Sequence, residues 1–335
     1  MTRGVSFFLG TALLLLAAGT IDAEVSLPAV LGEHMVVQRE IPLHLWGQAA
    51  PGETVTATFR GESRSVAADE LGRFGLYLPP SAAGGPFTLT VSASNTIRLD
   101  DVWVGDVWVA AGQSNMEWTL DEAEGAAAEI PQARHPEVRF LRAEHRTSSF
   151  PLADVANWGV GDFPFLFVQL ASWTAGPGNA WPELREAQRQ ALTTVNTAMA
   201  VAIDVGHPTD IHPRDKKTVG TRLALAARVL AYGERLEHSG PLFRQVTPEG
   251  PGLRVSFDHG EGLTTRGGAE VAGFEIAGAD GRYVPAEARI AGSTVFVSSA
   301  AVPSPRSVRY GWADNPRVSL YNAAGLPASP FRSAE

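Results

Sequence analysis

Two short segments of this 335-residue chain carry side chains suited to covalent chemistry. The first is Gly112-Gln113-Ser114-Asn115-Met116. It directly follows Val107-Trp108-Val109-Ala110-Ala111, which reads as a buried strand. A serine just beyond a strand's carboxyl end sits at the rim where α/β sheets place their ligands. Gly112 permits a tight turn, and N–H groups near Ser114 can then face a developing oxyanion. The pattern is not the Gly-x-Ser-x-Gly elbow. Taken alone it has a plainer reading as an ordinary strand-to-helix turn capped by Ser114. The second segment is Asp204-Val205-Gly206-His207-Pro208-Thr209-Asp210-Ile211-His212-Pro213. It follows the apolar run Met199–Ile203, so it too belongs on a carboxyl rim. His212 is a candidate base for Ser114, with Asp210 orienting its ring and Asp204 as the other choice of carboxylate. His207 and Asp204 have a plainer reading as loop residues that satisfy local backbone. A metal held by His207, Asp210 and His212 lacks a fourth ligand in sequence. Trp118 is the aromatic side chain best placed to wall such a site.

The elements that must position these residues follow from pattern. Arg3, the apolar stretch Phe7 to Ala18 and the small residues Gly19 and Ala23 have the order of a secretory signal peptide. The apolar run is shorter than the ~20 residues needed to cross a bilayer, which leaves a membrane anchor as the lesser alternative. The expectation is a secreted or periplasmic protein. From Glu24 to Asp101, period-two runs such as Val55–Phe59, Phe74–Leu78 and Phe87–Val91 alternate with Pro51-Gly52, Leu71-Gly72 and Gly84-Gly85-Pro86, which predicts a small β-sandwich. From Val102 strands alternate with helices, which predicts a mostly parallel sheet. Its strands are Val102–Val104, Val107–Ala111, Phe163–Leu170 and Met199–Ile203. Its helices begin at Pro182, with Leu184, Ala187, Gln188 and Ala191 on one face, and at Lys217, with Val219, Leu223, Ala226, Ala227 and Leu230 on one face. From Ser239 strands return, at Leu253–Phe257, Gly273–Ile276, Thr294–Val297 and Ser307–Tyr310. Trp46, Trp103 and Trp108 lie in strand patterns and read as core. With 27 basic and 36 acidic residues the net charge is −9, which argues against nucleic acid or an anionic membrane as partner. The absence of cysteine removes disulfides, thiolate metal sites and cysteine nucleophiles.

Gly112–Met116 followed by Glu117-Trp118, together with Asp210-Ile211-His212-Pro213, resembles the sialate O-acetylesterase family of SGNH-type hydrolases. The flanks share the resemblance: Leu27–Val30 with Met35–Arg39, Val104–Trp108, Gly161–Phe165 and Leu320-Tyr321-Asn322. The resemblance implies an SGNH-type, flavodoxin-like α/β fold with a mostly parallel sheet, flanked by two β-rich, sandwich-like domains. The expected divisions are a signal peptide at 1–23, a β domain at 24–101, the hydrolase domain at 102–237 and a second β domain at 238–335. It implies Ser114 as nucleophile, His212 as base and, less directly, Asp210 as the supporting carboxylate. Gln113, Asn115 and Trp118 would line the substrate. Arg214 would meet a sugar carboxylate, or else be a surface arginine at a helix start. The implied substrate is an O-acetylated sugar, a sialic acid, with neither cofactor nor metal. The alternatives are an acetylesterase for another glycan such as xylan, and a non-catalytic carbohydrate-binding or remnant protein.

The chain departs from that family in one block. Turns of Ser-x-Gly-Gly and Gln-Gly-Glu-Ser type, which supply oxyanion donors in the family, are not found in this sequence. The span 102–237 is also short for a complete doubly wound sheet. These features predict an internal deletion near residues 147–158, natural or from a misread gene, and a truncated sheet. For the leader, amino-terminal sequencing of exported protein is expected to find a start after residue 19 or 23; soluble protein retaining Met1–Leu16 would contradict it.

Overall fold

The computed structural model describes residues 24–142, 163–174, 176, 178–267 and 270–333. The leader at 1–23 and the junction at 147–158 lie outside the described residues. Two compact units emerge, one of residues 24–109 with 135–142 and one of residues 110–134 with 163–333.

The first unit is a small sandwich. Its strands are β1 (Val36–Gln38), β2 (Leu43–Gln48), β3 (Thr54–Phe59), β4 (Glu62–Ala67), β5 (Arg73–Leu78), β6 (Gly84–Ser92) and β7 (Thr96–Gly105). They form a five-stranded sheet in the order β1-β7-β6-β3-β4 and a two-stranded sheet of β2 and β5. Alternation sends Val55, Ala57 and Phe59 of β3 and Phe74, Leu76 and Leu78 of β5 into one core. Val102 and Val104 belong to that core as part of β7, so the residues read as the first strand of the α/β segment are sandwich instead. The segment from 135 is fastened by Arg139, whose guanidinium donates to both oxygens of Asp101 (2.8 and 3.1 Å) and to the carbonyl of His34 (3.0 Å).

Val107–Ala111 is not the strand that its composition suggests. It has no regular structure, and Trp108 is 48 % exposed. An apolar run becomes a strand only where a neighbour completes its backbone hydrogen bonds and a layer covers its side chains. Among the described residues no strand pairs with this one.

In the second unit, α1 (Ala126–Glu129) precedes β8 (Phe165–Val168), α2 (Trp181–Gln190), β9 (Thr197–Ala200) and α3 (Lys216–Leu230). β8 and β9 run parallel, from Phe165 opposite Thr197 to Val168 opposite Ala200. Among the described residues the parallel sheet holds these two strands. Beyond β9 the chain stays buried through Ile203, which delivers the following loop to one end of the pair. α3 begins one residue earlier than its periodicity predicts, capped by Asp215, whose carboxylate accepts from the Thr218 N–H.

α2 corrects a sequence expectation. Its apolar residues Leu184 and Ala187 are exposed, and Pro182, Arg185 and Glu186 are the buried positions. The helix docks through a charged residue. Arg185 is fully buried and donates to the carbonyls of Leu170, Ala171, Ala313 and Asp314, each at 2.8 Å. Burial lowers its pKa to about 10, which leaves it charged.

The remainder is β structure. β10 (Leu242–Glu249), β11 (Gly252–Asp258), β12 (Thr264–Thr265), β13 (Phe274–Ala277), β14 (Val284–Pro285), β15 (Glu287–Ala291), β16 (Thr294–Ser298), β17 (Ser307–Tyr310), β18 (Leu320–Tyr321) and β19 (Phe331–Arg332) follow in order. Two four-stranded sheets, β10-β11-β16-β15 and β14-β13-β17-β19, share one core. At its centre the fully buried Phe331 stacks on Phe243 with ring centroids 4.4 Å apart. Truncating a fully packed phenylalanine removes its transfer energy and leaves a cavity. Phe331→Ala is therefore expected to destabilise the protein by about 3–5 kcal/mol, measured from denaturant unfolding of the variant against the parent.

Candidate active site

The chain around Ser114 forms a single tight turn. Ser114–Met116 is 3-10 helical, closed by the Met116 N–H donating to the Gln113 carbonyl (2.8 Å) and the Glu117 N–H to the Ser114 carbonyl (3.1 Å). The N–H groups of Ser114 and Asn115 precede the first bond of that turn and have no acceptor within it. Gly112 lets the Met116 side chain lie against the turn, since a Cβ there would displace it. Ser114 is exposed to solvent.

Across from this turn lies the loop between β9 and α3. Ser114 Oγ is 2.7 Å from His212 Nε2, although the two residues are 98 positions apart. His212 Nδ1 is 3.2 Å from Asp210 Oδ1, and the same oxygen accepts the backbone N–H of His212 at 2.9 Å. Asp210 thus holds its neighbour's ring and main chain together. That backbone N–H is the main reason the Asp210 carboxyl lies below its ordinary value of 3.8. Partial desolvation opposes the shift, and the His212 ring and Arg214 add to it. The Trp118 indole stacks beside the His212 ring, with centroids 5.7 Å apart and planes 24° from parallel. Arg214 and Lys216 lie over the indole at 5.9 and 4.8 Å. An open pocket lined by Glu124, His207, Asp210, His212 and Arg214 adjoins the histidine.

Sequence reasoning did not find Lys216. Its Nζ donates to Asn115 Oδ1 (2.5 Å), which leaves the Asn115 NH2 as the free-facing donor end of that carboxamide. Burial lowers the Lys216 pKa, and Asp210 partly offsets this. The signal available was its place at the first position of a capped helix immediately after the Asp-Ile-His-Pro segment. Gln113 contributes its carbonyl to the turn. His207 turns inward on its own loop, with Nδ1 3.3 Å from the Thr209 N–H and 3.2 Å from its hydroxyl. No trio of His, Asp or Glu is arranged for a metal among the described residues. Asp204, the alternative support for His212, is engaged elsewhere: both its oxygens face Arg222, at 2.6 and 2.8 Å.

A carbohydrate acetylesterase from Xanthomonas citri, known by crystal structure, superposes with a TM-score of 0.87 at 31% sequence identity, over 92% of this chain and 99% of its own. The chain belongs to the sialate O-acetylesterase family. The rat sialate O-acetylesterase is 31% identical over a match of 194 residues that covers 50% of this chain and 35% of the rat protein. The mouse protein is 32% identical over the same extent. The chain therefore spans about a third of the length of the curated relatives it matches. No family model matches the chain. Within this family member, the Gly-Gln-Ser-Asn turn and the Asp-Ile-His-Pro loop are brought into hydrogen-bond contact in the absence of a broad sheet among the described residues.

The lowered Asp210 pKa fixes a sign. A depressed carboxylate stabilises the folded loop above its unfolded pKa, and the contribution is lost as pH falls through the folded value. The Asp210 carboxyl carbon is therefore expected to titrate below 3.8, and the His212 ring to keep its orientation down to that range. An NMR pH titration measures both; a midpoint at or above 3.8 contradicts the arrangement.

Proposed function

We propose that this chain is a secreted or periplasmic serine esterase that removes acetyl groups from O-acetylated sugars, with an O-acetylated sialic acid as substrate. The observation that carries the reading is the 2.7 Å contact of Ser114 Oγ with His212 Nε2, backed by Asp210 at 3.2 Å from Nδ1. A hydroxyl is a weak nucleophile until an adjacent base takes its proton, and an imidazole does so only in the tautomer that leaves Nε2 unprotonated. Asp210, accepting from Nδ1–H, selects that tautomer and stabilises the imidazolium. Ser114 Oγ attacks the acetyl carbonyl and His212 receives its proton. The Ser114 N–H, free of any acceptor in its own turn, stabilises the oxyanion. His212 then protonates the departing sugar oxygen. Water, deprotonated by His212, releases acetate and restores Ser114.

Substrate choice rests on the wall beside the histidine. Trp118 offers an apolar face to a sugar ring, and Gln113 and Asn115 offer amide groups. Arg214 and Lys216, both over the indole, supply the positive charge that suits a sugar acid better than a neutral xylan. Turnover is slow in this reading. Each oxyanion donor missing from an acyl-transfer site costs about 10²–10³ in rate, and the two family turns that carry such donors are not in this sequence.

The test is acetate release from an O-acetylated sialic acid, an acetylated xylan and an aryl acetate. The expected order places the sialic acid ahead of xylan, with Ser114→Ala at the uncatalysed rate. Asp210→Asn is expected to reduce kcat by up to about 10⁴, the order seen when a triad carboxylate is neutralised. Parent protein indistinguishable from Ser114→Ala on all three substrates overturns the esterase reading. A preference for xylan overturns the sialic acid assignment alone.

A further inference from the structure

We propose that Tyr321, on a strand of the carboxyl-terminal β region, is a positioning residue for His212, acting through Asp204 and Arg222. The proposal rests on the catalytic reading of His212 given above. Its starting point is a buried charge that the reaction scheme does not use. Asp204 stands where the chain leaves the buried run after β9, and Arg222 stands within α3. Asp210 and His212 lie on the loop between them. The two side chains are only 8 % and 7 % exposed and meet in a bidentate pair, Arg222 Nη1 to Asp204 Oδ1 at 2.6 Å and Nη2 to Oδ2 at 2.8 Å. Nη1 also donates to the Val201 carbonyl at 2.6 Å. The pair therefore ties the exit of β9 to the helix that follows the loop, across 18 residues of sequence.

Tyr321 completes the cluster from 117 residues away. Its hydroxyl donates to Asp204 Oδ2 at 3.1 Å. Burial, and then the Asp204 charge, push its pKa up to about 12, so it remains a neutral donor at any physiological pH. Arg266 lies over the Tyr321 ring at 4.8 Å and reaches within 3.7 Å of the same carboxylate oxygen. Every oxygen of Asp204 is thus directed by a partner of fixed geometry. A buried ion pair is a poor source of net stability, because desolvation offsets most of its attraction. What such a pair does fix is geometry, since a fork of five donors accepts few arrangements of a carboxylate.

The geometry matters at the other end of the loop. Two further attachments carry it forward. Gly206 packs so closely on the Ser172 backbone that no Cβ would fit, and the Thr174 N–H donates to the Pro208 carbonyl at 3.0 Å. His212 follows four residues later. A displacement of an ångström at the base of this loop separates Nε2 from Ser114, and reactions of positioned groups are steep in that distance.

The experiment compares the full chain with Tyr321→Phe, which keeps the ring beneath Arg266 and deletes the hydroxyl with its bonds to Asp204 and Arg266. The His212 ring nitrogen resonances and their pH titration are read first, since they need no turnover. The expected result is a shift of those signals with little change in the thermal midpoint. In the acetate-release assay kcat is expected to fall about tenfold at unchanged KM, the scale of one hydrogen bond to a charged group. Arg222→Lys keeps the charge without the fork; it is expected to lower kcat similarly, and less than additively with Tyr321→Phe. His212 signals and kcat both unchanged in Tyr321→Phe overturn the proposal. If the parent shows no turnover above Ser114→Ala, the esterase reading fails, and unmoved His212 signals would separately overturn the positioning role.

Discussion

Placing a carboxylate out of water costs several kcal/mol unless every oxygen finds a donor, and the loop that carries His212 is organised around one such carboxylate. Asp204 can be buried only because Arg222, Tyr321 and Arg266 converge on it. These three come from a helix, a strand and a loop separated widely in sequence. Once Asp204 is committed in this way, it is unavailable to the imidazole, and Asp210 is left as its neighbour. The division of labour between two nearby acidic residues is thus decided by burial: the buried one is structural, and the more exposed one adjoins the reactive group.

The parts of this arrangement that sequence reveals are those whose information is local. Ser114 and His212 stand in short motifs that each follow an apolar run, and those motifs are legible without knowing which of the runs becomes a strand. The β strands of both sandwich regions are likewise local, because inward residues such as Val55, Ala57 and Phe59 alternate strictly with solvent-facing ones. The Asp204–Arg222 pair is not local. Arg222 sits on a helix whose periodic apolar face gives no sign that an arginine is its most tightly engaged residue. Periodicity reports which face of an element is apolar, but the layers available decide which face is buried. In α2 the two answers differ, and in Val107–Ala111 an apolar run finds no strand to pair with among the described residues. Lys216 escaped notice for a similar reason, since its partner Asn115 is 101 positions away.

The serine turn and the histidine loop are held together by contacts that are individually modest. The Glu124 N–H meets the Arg214 carbonyl at 2.9 Å, Lys217 meets Glu129 at 2.5 Å, and Lys216 meets Asn115. The one charge pair among them, Lys217 with Glu129, is exposed on the lysine side, contributes little and weakens with salt. The stiffness of the site is therefore unequal. The histidine side is anchored in buried polar structure, whereas the serine side depends on a short turn and on surface contacts.

Arg185 shows a different economy of design. Its guanidinium donates to four main-chain carbonyls, at residues 170, 171, 313 and 314, and to no side chain among the described residues. Main-chain oxygens are present whatever residue occupies a position, so the hydrogen bonds do not depend on the side chains they join, although the Asp314 charge also supports the guanidinium. Substitutions at 170, 171 and 313 would leave these acceptors in place so long as the backbone path is kept, whereas replacing Arg185 removes all four bonds at once. Lysine would bring three donors from a single point and could not span the same four oxygens. The junction between α2 and the β region is thus insulated from mutation on one side and concentrated in a single residue on the other.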